Sequence, residues 1–204
     1  MHHKGIRVRR QVTKWDCGLC CVAMISDREP EEMLRLFQEK TGCDSVWTID
    51  LLNALEEQGV ACEMLTRSLS ISPAFSGLSY YSSTFARDVQ RVEPLLRNNP
   101  RAREEVLTTR ELAGRMRRGE THSAIVLVCK RVLEKWKEQG QYVGHYILVV
   151  GVAEGDDEDT LLFFDPAHGE AGGLQRISVE ELEKCRAVDG TDMDIILTKK
   201  VVKE

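Results

Sequence analysis

The sequence predicts an α+β fold in which N-terminal helices pack on an antiparallel sheet. Two observations predict it. Up to Gly59 apolar residues recur at helical spacing between recognisable caps and stops. From His122 onward, strand-sized apolar runs follow one another with little helix between them, unlike the regular alternation of a doubly wound fold.

Taken in order, Gly5 to Lys14 is basic and partly extended. A first helix starts near Asp16, which can cap it, and runs through Cys21 to Ile25. Pro30 suits the first turn of a second helix, Glu31 and Glu32 suit its positive end, and Met33, Leu36 and Phe37 share one face up to Gly42. Thr48 opens a third helix, with Ile49, Leu52 and Leu55 on one side and Gly59 as its stop. Val60 to Leu65 reads as a strand. Ser68 to Thr84 reads as a loop or irregular strand whose Tyr80 and Tyr81, with nearby Phe85, form a groove wall or pack on the sheet. Asp88 to Pro100 holds a short helix. Thr108 with Glu111 three residues on caps a helix ending near Arg118. His122 to Cys129, Gly144 to Val152 and Thr160 to Asp165 read as strands, with charged Lys130 to Gln141 as a surface excursion. Gly155 to Asp159 is an acidic turn. Ser178 caps a last helix through Cys185, and Met193 to Val201 is a final strand.

The chain has 204 residues, 28 basic against 33 acidic, for a net charge of −5, and 42% apolar residues. That composition builds a core and fits a single domain over 1–204. Mild acidity argues against a nucleic-acid partner, which would show a basic stripe. No apolar run reaches the length of a membrane span, and the N-terminus lacks the apolar stretch of a secretory signal. The seven cysteines are odd in number and not part of a small loop-rich framework, so the compartment reads as reducing, cytoplasmic or nuclear. Cys17 and Cys20 have C-x-x-C spacing, but no second Cys or His pair stands at ligand spacing, which disfavours zinc.

Four positions can carry chemistry together. Cys17 sits at the first turn of a helix, where free N–H groups and the macrodipole favour a thiolate; the plainer alternative is a core cysteine, the better description of Cys20 and Cys21. His145 stands at the mouth of an apolar strand, where it can face that helix end; a lone histidine there would be structural. Asp165 follows Leu161-Leu162-Phe163-Phe164 and precedes Pro166, so it ends a buried strand and can fix the His145 ring, or simply cap the turn that follows. Gln11 lies upstream of Cys17, where an amide donor can serve an oxyanion, though most glutamines are merely solvated. His122 lacks a third partner, and His168 reads as a surface residue.

Gln11, Cys17-Gly18-Leu19-Cys20, Gly144-His145-Tyr146 and Asp165-Pro166 together resemble the papain-like cysteine peptidases, and among these the bacteriocin-processing domains of ABC exporters. A nearer resemblance, through Trp15-Asp16-Cys17-Gly18-Leu19, Gly144-His145-Tyr146-Ile147 and Gly190-Thr191-Asp192-Met193-Asp194-Ile195-Ile196, is to the guanylyl cyclase domain-containing family of eukaryotes, over roughly Val8 to Thr198. The resemblance implies a papain-like fold and, from its signature residues, a cysteine hydrolase: a peptidase or amidase with a Cys17–His145–Asp165 triad, Gln11 in the oxyanion hole, a peptide or protein substrate, and no metal or other cofactor. The family name implies instead conversion of GTP to cyclic GMP with Mg²⁺ or Mn²⁺. Against that stand the missing phosphate-binding loop and the flanks of Asp192 and Asp194, which suit a turn entering a strand better than a metal site. A non-catalytic protein-binding module is the third alternative.

Overall fold

A computed structural model describes residues 2–3, 5–137, 140–153 and 160–199. A short hairpin pairs β1 (His2–His3) with β2 (Ile6–Arg7). Then come α1 (Cys17–Ser26), α2 (Pro30–Thr41), α3 (Thr48–Glu57) and β3 (Cys62–Thr66). A 3₁₀ turn at Pro73–Gly77 leads to α4 (Ser79–Ser82), α5 (Phe85–Asn98), β4 (Ala102–Glu104) and α6 (Thr109–Arg117). The second half holds β5 (Ser123–Cys129), α7 (Lys130–Leu133), β6 (Gly144–Val152), β7 (Thr160–Phe164), α8 (Gly169–Gly172), β8 (Gln175–Ser178), α9 (Val179–Arg186) and β9 (Ile195–Thr198). The predicted acidic turn at Gly155–Asp159 and the last residues of the predicted final strand lie outside the described residues.

Local chemistry accounts for the helix ends. Pro30 opens α2, and Gly42 closes it in the left-handed conformation (φ 63°) that lacks of a Cβ make inexpensive. At α6 the Glu111 N–H donates to the Thr108 hydroxyl at 3.2 Å, and the Thr108 N–H donates to the Glu111 carboxylate at 2.8 Å. Asp16 departs from expectation. Its side chain does not cap α1; it folds back and accepts from the Val12 N–H (2.9 Å), the Thr13 N–H (2.8 Å) and the Thr13 hydroxyl (2.9 Å). The carboxylate therefore shapes the loop that delivers α1.

Among the described residues, seven strands form one sheet in the order β4-β3-β9-β5-β6-β7-β8. All neighbours are antiparallel except β3 and β4, which run parallel. Helices cover both faces. Tyr146, Leu148 and Val150 of β6 face a core shared with α1, α2, α3 and α5, while Ile147 and Val149 face a second core shared with α6 and α9. The N-terminal helices thus pack on the sheet as predicted, and two later helices close its other side. Ser68–Thr84, expected as loop or strand, is two short helical turns. The short helix expected near Asp88 is a 14-residue helix that continues through Pro94.

Fully buried Arg186 ties the second core together: it donates to the Thr109 hydroxyl (3.0 Å) and to the carbonyls of Leu107 (2.9 Å) and Met193 (3.2 Å). On the opposite face, α1 lies unusually close to its neighbours. A Cβ on Gly18 would stand 2.6 Å from Leu51 Cδ1 and 2.9 Å from Tyr146 Cδ2. Both neighbours are themselves buried, so Gly18→Ala should overpack this contact. A loss of about 1–3 kcal/mol is expected, read as a lower urea midpoint with unchanged far-ultraviolet dichroism; an unchanged midpoint would show that α1 can back away freely.

Candidate functional site

Antiparallel pairing of β6 with β7 sets Leu148 opposite Phe164, so the first residues of β6 lie beside the residues just past β7. That register brings His145 to Asp165: Nε2 and Oδ1 are 2.8 Å apart, both side chains almost fully buried. The Ala167 N–H also donates to Asp165 Oδ1 at 2.8 Å, and His168 Nδ1 lies 3.2 Å from Oδ2. Burial raises the Asp165 pKa, but the His145 hydrogen bond and charge, the Ala167 N–H and His168 outweigh it and hold the carboxyl below its ordinary value.

Cys17 is the first residue of α1 and is only 4% exposed. Its sulfur accepts from the Tyr146 N–H at 3.5 Å. Burial works against a charged His145, yet Cys17 beside it and the hydrogen bond that its ring donates to Asp165 prevail, raising its pKa to about 9. Gln11 is placed differently from expectation. Its Nε2 donates to the Thr13 carbonyl at 2.6 Å, inside its own loop, and its backbone N–H donates to the Pro166 carbonyl at 3.0 Å. Gln11 therefore tethers the loop before α1 to the turn after β7.

That same turn builds a cluster not anticipated from the sequence. Ligand atoms of Glu134, Asp165 and His168 all lie within 4.8 Å of one another. Glu134 is oriented from just past α7 by the Trp136 indole N–H, which donates to it at 2.6 Å. Two carboxylates and one imidazole suit a divalent cation of the Mg²⁺ or Mn²⁺ type, the nitrogen favouring Mn²⁺. The expectation that the chain needs no metal is corrected on this ground. The signal in the sequence was slight: His168 follows Asp165 by three residues across a proline turn, and Glu134 is one acid in a charged excursion.

The sequence was compared with known proteins. A family profile described as guanylylate cyclase matches residues 6–198. The chain belongs to this family. Guanylyl cyclase 1 of Arabidopsis thaliana is 28% identical over 96% of this chain and 76% of its own length. Among solved structures, the peptidase domain of Streptococcus ComA, a bi-functional ABC transporter involved in a quorum sensing pathway, covers 96% of this chain and 99% of its own at 13% identity, with a TM-score of 0.49. A likeness that slight carries no argument about activity.

Membership of the guanylylate cyclase family overturns the cysteine hydrolase expected from the motifs, and with it the peptidase and catalytic-triad description. The local structure gives physical reasons. The Cys17 sulfur is buried and engaged by a backbone N–H, and the Gln11 amide is turned to Thr13, away from service as a free oxyanion donor. All seven cysteines are free and buried. The C-x-x-C pair belongs to the core, and burial pushes the Cys20 thiol well above its ordinary range. No helix among the described residues is long and apolar enough to cross a membrane.

Asp192 and Asp194 lie in the turn that enters β9, and no metal-ligand grouping among the described residues includes them. Asp194 is buried, with the Thr48 hydroxyl donating to Oδ2. Burial pushes its pKa up to about 7, with Asp192 adding repulsion and Thr48, Thr66 and Arg186 opposing the rise. The folded chain therefore holds a proton there that the unfolded chain, with an ordinary value of 3.8, releases earlier. Stability contributed by this group falls as pH rises from about 4 to about 7 and levels off above. Asp194→Asn lacks that loss, so the urea midpoint of the variant should gain on wild type across this window; a difference constant with pH would contradict a buried, upshifted carboxyl.

Proposed function

We propose that the chain is a guanylyl cyclase, converting GTP to 3′,5′-cyclic GMP and pyrophosphate, with its reacting groups held around Asp165. The observation that carries this is the guanylylate cyclase profile match over residues 6–198. The named activity of the Arabidopsis relative supports it, and so does the Glu134–Asp165–His168 cluster. These three residues would hold a divalent cation. Bound there, the cation would neutralise phosphate charge and acidify a coordinated hydroxyl.

In the reaction the ribose 3′-oxygen bonds to the α-phosphorus, the bond from that phosphorus to the β-phosphate oxygen breaks, and the 3′-hydroxyl proton is released. We assign the surrounding residues roles in this. His145, with its raised pKa, carries a proton at neutral pH and can donate to the departing pyrophosphate. Asp165 fixes the His145 ring while its other oxygen faces His168, with Glu134 in the same cluster. Cys17 sustains the positive charge on His145, and Gln11 holds the loop before α1 against the turn that carries His168. A papain-like arrangement of the chain belongs to the same proposal, supported by the helix that bears Cys17 lying against the strand that bears His145.

Purified protein supplied with GTP and Mn²⁺ should form cyclic GMP, identified by mass spectrometry. Glu134→Gln and Asp165→Asn should each lower turnover by about 10-fold or more, the scale seen when groups that hold or orient a metal are lost. A metal chelator should abolish it. No cyclic GMP from pure protein, or full turnover in both variants, would overturn the assignment.

A further inference from the structure

Just past α7 the backbone takes a conformation that local sequence does not favour. Lys135 lies in the left-handed region (φ 52°), which is costly for a residue with a Cβ. Its ammonium pairs with Glu181 at 2.8 Å. The left-handed step turns Trp136 back toward the helix that the chain has just left. The Trp136 backbone N–H donates to the Arg131 carbonyl at 3.0 Å, and its indole Nε1–H donates to Glu134 Oε2 at 2.6 Å.

The residue so placed is 44% exposed. Arg131 covers one face of the indole, its guanidinium carbon 4.8 Å from the ring centroid, and Glu134 takes the N–H edge. The exposed area therefore lies mostly on the opposite face. Glu134 belongs to the Glu134–Asp165–His168 cluster, and its Oε1 lies 3.7 Å from Lys130 Nζ. A flat, electron-rich surface thus stands next to the groups assigned to a divalent cation, with one carboxylate side chain between them. In a nucleoside triphosphate the ribose stands between the base and the phosphates in the same way.

We propose that the open face of Trp136 is the platform on which the purine ring of the substrate stacks while its phosphates meet the cation. The choice of ligand rests on the cyclase function proposed above. The bond to Glu134 and the Arg131 contact already fix the plane of the indole, so stacking a base on it costs little further ordering. The site lies at the surface, and no wall has to move to admit a base. Every base has a π-face, so the platform supplies affinity and brings the ribose toward the cation without choosing guanine. Trp136 touches the base and none of the reacting atoms.

Equilibrium binding separates the base from the phosphates. The full chain with Mn²⁺ is titrated calorimetrically with 3′-deoxy-GTP, which lacks the attacking hydroxyl and cannot cyclise, and with inorganic triphosphate, which lacks a base. Trp136→Ala should weaken 3′-deoxy-GTP by about 10-fold, the scale of one stacked base, and leave triphosphate unchanged. Trp136→Phe keeps a ring without the N–H, and should retain most of the 3′-deoxy-GTP affinity. Equal weakening of both ligands by Trp136→Ala would show a residue that only orients Glu134, and would overturn the platform. So would a Trp136→Phe loss as large as that of Trp136→Ala, or no binding of 3′-deoxy-GTP to wild type. Cyclic GMP formed by a chain whose 3′-deoxy-GTP affinity ignores Trp136→Ala would remove the platform and leave the cyclase. A base-specific loss in Trp136→Ala without any cyclic GMP from wild type would do the reverse.

Discussion

Close contact between α1 and β6, made through Gly18, is the constraint from which the rest of the site follows. Eight of the ten residues of α1 are buried, so the helix has no wet side on which to shift. With no side chain at Gly18, the helix start settles against Leu51 and the Tyr146 ring. That fixes the Cys17 sulfur at the Tyr146 N–H and beside His145. The loop leading in is equally determined, by the Asp16 carboxylate within it and by the Gln11 N–H reaching Pro166. Helix, loop and hairpin end are thereby one mechanical unit, although they lie far apart in the chain.

Within that unit Asp165 is the shared acceptor. One oxygen serves His145 and the Ala167 N–H, and the other faces His168, with Glu134 close to both residues. A carboxylate with donors on both oxygens stays ionised despite burial, because each donor offsets part of the lost hydration. Its charge is felt in two directions: inward it adds to Cys17 in raising the pKa of His145, and outward it is the buried member of the Glu134–Asp165–His168 grouping. Position and electrostatics are set by the same few bonds.

Much of this was legible in the sequence, and the reasons for the remainder are physical. Helices α2, α3 and α6 announced themselves through Pro30, Gly42, Gly59 and the Thr108–Glu111 pair, all signals carried within a few residues. The β6–β7 hairpin was legible from its apolar runs, and with it the approach of His145 to Asp165. Strand β4 was not, since Ala102-Arg103-Glu104 is short, mostly exposed and defined by its partner β3. Pro94 made α5 look shorter than it is; the helix continues because Val92 and Leu96 are buried on either side of the proline. Asp16 looked like a cap and proved to be a loop brace, a choice that depends on where Val12 and Thr13 fold. Glu134 meets His168 only through tertiary structure. The family was legible in the motifs around Cys17, His145 and Asp192 to Asp194, whereas the activity was not, since the same residues suggested a hydrolase.

The seven buried free thiols carry a consequence for how this chain behaves once it loses its shape. In the folded state each sulfur is held from oxidants by burial. Denaturation releases all of them at once, and Cys17, Cys20 and Cys21 are near enough in sequence to pair before the sheet can re-form. In an oxidising medium, such crosslinks would trap the chain, so its persistence there becomes a matter of unfolding rate instead of equilibrium stability. A reducing environment would restore the return path.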